Sequence, residues 1–142
     1  MAKAPTRIAR LLGVAGLVPF VAGATSLWLL PWDQRSGAAM ALSAYAATIA
    51  AFLGGLHWGL AASSQQSTWQ YVWGVIPSLL AAVALLLPPP AALALLAGVL
   101  VACYAVDRRV LPSQGLAAWM PMRALLTAVA SVSCLAAAFA MR

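Results

Sequence analysis

The sequence predicts an all-α polytopic membrane protein: one bundle of five transmembrane helices with short loops and a cytoplasmic amino terminus. Three observations carry this. Hydrophobic residues make up 65% of the 142 and charged residues 7%, with a mean hydropathy of +0.96. Soluble domains average about 25% charged residues, and the few present here could not coat a water-facing shell. Five apolar segments alternate with stretches of turn chemistry, and the basic residues are shared unequally between alternate loops.

The first segment runs from about Ile8 to Leu30. Lys3, Arg7 and Arg10 before it and "VAGA" at 21–24 resemble the parts of a signal peptide. The apolar run continues past that point, however, and its 23 residues at about 1.5 Å each can cross a hydrocarbon core of about 30 Å. A retained first helix is expected. "PWDQRSG" (31–37) then ends it, and the second segment spans 38–62. Polar "SSQQST" (63–68) precedes the third, 71–87. "PPP" (88–90) separates this from the fourth, 91–106, which is short and expected to extend into its flanks. Charged "DRRVLPSQG" (107–115) leads to the fifth, 117–140. None of the segments alternates with period two, and open strand edges are untenable in lipid, so all five are predicted as helices. Residues 1–142 form a single transmembrane domain. "GLVP" (16–19) and "GVIP" (74–77) place a proline in the first and third helices. Two proline kinks are favoured over a repeat of helix pairs, because the histidine of the second helix has no counterpart in the fourth.

Orientation follows from the short loops. With the amino terminus inside, Lys3, Arg7, Arg10, Arg108 and Arg109 collect on the inner side, leaving Arg35 and Arg142 outside. Trp28 and Trp32 then fall at the outer interface and Trp69, Trp73 and Trp119 at the inner one. The net charge of +6 is read as this orienting bias, since the basic residues form no dense patch for nucleic acid.

"FLGGLHWG" (52–59) holds the only histidine. Its stripe of small neighbours, Gly54 and Ala61 with Ala50 and Ala46 further back, allows close helix approach, as does the Gly55 and Gly59 pair on an adjoining face. Gly54, Gly55 and Gly59 are therefore expected to pack helices. His57 lies about 7 Å inside the inner end of its helix and Arg123 about 9 Å inside the fifth, while Asp107 ends the fourth with Tyr104 one turn earlier. Intramembrane charges are costly and usually paired. His57, Asp107, Arg123 and Tyr104 are thus a candidate polar cluster or ligand site near the inner interface. One reading makes it a staple between helices; another makes it a site for a proton, a quinone or a lipid head group; a third has Arg123 snorkelling alone to lipid phosphate.

The common catalytic sets are missing. With one histidine, two acidic residues and two cysteines, no metal centre is expected, nor any cofactor. Cys103 and Cys134 differ in height by roughly 20 Å, too far for a disulfide. No enzyme is expected.

At "GLVPF", "FLGGLHWG" and "MRALLT" (122–127) the chain resembles an uncharacterised bacterial inner-membrane family, a domain of unknown function related to mitochondrial transmembrane protein 69. The resemblance runs from about Arg10 to Ala137. Gly54-Gly55-Leu56-His57-Trp58-Gly59 is its most specific part, and Arg123 with Leu126-Thr127 the next. The family's aromatic residue before the arginine is replaced here by Met120-Pro121-Met122. The resemblance implies a five-helix protein of the bacterial inner membrane and no activity. The expected role is an accessory or assembly subunit of a larger membrane complex, with lipid and a membrane protein as partners. The alternative is a binder or carrier of a small hydrophobic or protonated ligand at the polar cluster, which would require a cavity reaching it.

Overall fold

The computed structural model describes residues 4–64 and 68–142. Lys3 and the middle of the loop expected at 63–68 lie outside the described residues. Six helices follow in order: α1 (Arg7–Ala15), α2 (Val18–Leu29), α3 (Trp32–Ser64), α4 (Thr68–Ala84), α5 (Pro89–Ser113) and α6 (Met120–Ala140). A 3-10 turn, Ala117–Trp119, leads into α6. There is no strand among the described residues. Among the described residues four helical stretches are long and apolar enough to cross a membrane: Arg7–Leu29, Trp32–Ser63, Pro89–Ser113 and Ala117–Ala140. The 17 residues of α4 rise only about 26 Å, slightly less than a hydrocarbon core.

The boundaries differ from the expected ones for local reasons. The first segment is two helices, not one. Pro19 has no N–H to continue a helix and sits at the start of α2, where none is needed. The turn before it closes through Gly16 N–H to the Leu12 carbonyl (2.9 Å) and Leu17 N–H to Val14 (3.0 Å). Pro77, by contrast, lies inside α4 without ending it. The expected break at 31–37 is the first turn of α3, with Asp33 near the positive end of the helix dipole. "PPP" opens a helix instead of only ending one: Pro89 and Pro90 occupy the first turn of α5, where a missing N–H costs nothing.

The largest correction concerns 107–115. Asp107, Arg108 and Arg109 are not loop residues; α5 continues to Ser113 and stops before Gly115, whose φ of +74° suits glycine. Asp107 is therefore well inside its helix.

Helix α3 is the central element and packs on α2, α4, α5 and α6. Much of its buried face is alanine, including Ala39, Ala46 and Ala50, which lets neighbouring backbones approach. The tightest crossing is with α4. A methyl group on Gly54 would run into the Gly74 carbonyl oxygen, and one on Gly74 would lie 2.7 Å from the Gly54 oxygen. Trp58 locks the next turn by donating its indole N–H to the Tyr71 carbonyl (2.9 Å) and meeting the Tyr71 ring edge-on. Gly55 and Gly59 do not pack helices: nothing lies within 4 Å of where their side chains would start. At the far end, Arg35 donates to the Leu30 and Ala140 carbonyls (both 3.0 Å), tying α3 to the ends of α2 and α6.

Candidate functional site

His57 lies seven residues before the end of α3 and Asp107 six before the end of α5, about 9–11 Å inside that end of the bundle. Arg123 enters from the same end in the first turn of α6. Two helices that end there, α3 and α5, and one that starts there, α6, thereby bring three residues far apart in sequence into one layer. All three are buried, His57 and Asp107 to within 1%.

Asp107 is the hub. Its Oδ1 lies 2.9 Å from His57 Nε2, and its Oδ2 accepts Arg123 Nε–H at 2.8 Å together with Arg123 Nη2–H. A carboxylate offers only acceptors, so the imidazole donates from Nε2. The three helices α3, α5 and α6 are stapled through one side chain. His57 Nδ1 is buried with no partner among the described residues, and Gln70 Oε1 on α4 is likewise unpaired there.

Of the sequence-predicted residues, His57, Asp107 and Arg123 are joined directly. Tyr104 is not part of the network: it is half-buried and makes no hydrogen bond to any of the three. Gly54 does its work one turn from His57, at the α4 crossing. Gly74 was missed, although a glycine one turn before Pro77 is a readable sign of close backbone approach. Cys103 and Cys134 are buried and unbonded.

A second feature had no sequence signal. A cavity of about 510 Å³ lies between α1, α2, α3, α5 and α6. Its walls are apolar, with Phe20, Leu53 and Leu126 among them, and among the described residues Arg123 is the only charged one that lines it. Thr127, one turn beyond Arg123 on the same face, adds a hydroxyl. The exposed side chains of Leu12 and Phe52 at its margin place its mouth on the outer surface of the bundle. His57, Asp107 and Tyr104 do not line it. Of the three stapled residues, Arg123 alone lines the cavity.

No group of three His, Cys, Asp or Glu side chains converges as a metal site among the described residues. No curated protein and no solved structure matches the chain. A family match covers residues 5–139, taking in the glycine–histidine motif, Asp107 and the arginine of α6, and the chain belongs to that family, described as a protein of unknown function (DUF3429).

Proposed function

We propose that this protein binds a small lipophilic molecule inside the bacterial inner membrane, with the head of the ligand against Arg123 and its apolar part along the cavity. The supporting observation is the cavity itself, which reaches the buried polar layer at one charged side chain. Its volume falls within the roughly 300–1,000 Å³ of small-molecule sites, and its lining has the usual character of such sites, mostly apolar with a few polar groups. A staple alone needs no adjoining space. Kinship with mitochondrial transmembrane protein 69 is part of the same reading and rests on the three sequence motifs.

The test is mass spectrometry of small molecules retained by protein purified in mild detergent, beside a Gly13→Phe variant. A methyl group on Gly13 would sit 3.5 Å from Met122 and Leu126, so a larger ring there enters the cavity from the α1 side. We expect the wild-type chain to carry a lipophile that the variant loses while remaining folded. Equal retention by both, or none by either, sinks the reading and leaves the accessory-subunit role.

The membrane arrangement we infer has five crossings, with α1–α2 as the first, α4 as a short one, and the amino terminus cytoplasmic. Reporters fused after Pro89, Gln114 and Arg142 should read out, in and out. A cytoplasmic carboxyl terminus would reject it, and an inside reading at Pro89 would identify α4 as the segment that fails to cross.

A further inference from the structure

Resting on that reading, we propose that the ligand is an uncharged lipophile whose head is a carbonyl oxygen on a flat ring, a quinone-type molecule, held by Arg123. The first support is an unfilled hydrogen-bonding demand. A guanidinium carries five N–H donors. Two go to Asp107, and the others find no acceptor among the described residues. Because Arg123 lines the cavity, a ligand there is the acceptor within reach.

Charge then selects the kind of acceptor. Arg123 is already neutralised by Asp107. A protonated His57 would carry an Nδ1–H, which has no partner in its buried position, whereas the neutral ring donating from Nε2 leaves only a lone pair there. The three groups then sum to zero. Among the described residues no other charge compensates: α2 and α4 carry none, α5 brings only Asp107 to this layer, with Tyr104 and Cys103 a turn before it, and Arg108 and Arg109 are exposed. Arg7 and Arg10 of α1 are exposed and do not line the cavity. An anionic head would leave one uncompensated negative charge beside Asp107 in a low-dielectric layer. A cationic head would face Arg123. An alkane would leave the guanidinium donors unpaired, which a desolvated site penalises.

A neutral carbonyl satisfies the donors and leaves the charge sum unchanged. The ring is supported by Phe20, Phe52 and Trp119 around the cavity, which offer aromatic surface to a flat head group. Along α6 the lining extends from Met122 to Ala130, about 12 Å, so a short chain can follow the ring.

The experiment measures binding of radiolabelled decylubiquinone to the purified chain in detergent, and its displacement by decanoate at pH 8 and by decane. We expect saturable binding of the quinone, at least tenfold tighter than decanoate or decane. Thr127→Val, which keeps the shape of the side chain but removes its hydroxyl, should weaken quinone binding severalfold. Arg123→Lys should weaken it tenfold or more; if that variant does not fold, the order of the three probes decides. Decanoate binding as tightly as the quinone would overturn the uncharged head while leaving a lipophile site in place. Decane binding equally well would overturn head recognition altogether. Absence of saturable binding by all three probes, with a retained lipophile in the purification above, would likewise reject the quinone class.

Discussion

Asp107→Ala is expected to destabilise the protein by about 3–5 kcal/mol, the range for removing one partner of a buried ion pair. Its carboxylate is 1% exposed and serves two residues from two other helices. Alanine would strand the Arg123 guanidinium and the His57 N–H in a buried layer. The loss comes mainly from those abandoned donors, not from the bonds themselves. Two comparisons separate the terms. His57→Gln keeps a neutral hydrogen-bonding group and should cost little, since interhelical hydrogen bonds in membranes average about 0.6 kcal/mol. The double variant Asp107→Leu with Arg123→Met removes both charges and should recover much of the loss, because a buried pair can be replaced by apolar groups at small cost. Chemical denaturation in detergent reads all three. A loss below about 1 kcal/mol for Asp107→Ala would show that the layer is wet or that Asp107 is dispensable to packing.

The second large effect is expected at the α3–α4 crossing. Gly54→Leu should separate these helices or prevent folding, and even Gly54→Ala should cost about 1–3 kcal/mol, as overpacking does. The obstacle is the Gly74 carbonyl, which is backbone and cannot rotate away as a side chain would. His57 follows Gly54 by three residues on the same face, so the displacement should also weaken its 2.9 Å contact with Asp107. Gly55→Ala and Gly59→Ala enter open space and should be neutral or stabilising by up to about 1 kcal/mol, through helix propensity. Thermal unfolding of the four variants tests the contrast. Equal tolerance at 54 and 55 would contradict the close crossing.

Helical secondary structure could be read from the chain because a scarcity of charge and long apolar runs admit few other structures. The polar layer was also within reach. His57, Asp107 and Arg123 are ionisable residues in or beside apolar runs, and each is costly there without a partner, so their approximate depths nearly dictate their meeting. Helix ends were less legible. Residues 107–113 carry the charges and the proline that ordinarily mark a loop, yet they remain helical, and the expected loop at 31–37 is the start of α3. Pro112 lies in the last turn of α5, where few hydrogen bonds remain for it to break.

What the sequence determined by itself was the helical character, with runs long and apolar enough to cross a membrane, and the pairing demand of three ionisable side chains. Both are local consequences of composition, since apolar and charged groups have the same preferences wherever the chain places them. Which glycine packs was decided only in three dimensions: Gly54 and Gly55 are neighbours of the same type, and the rotation of α3 against α4 alone distinguishes them. The cavity was decided there too. It is a space left by the angles at which α1, α2, α3, α5 and α6 pack, and no residue type encodes a gap between five helices.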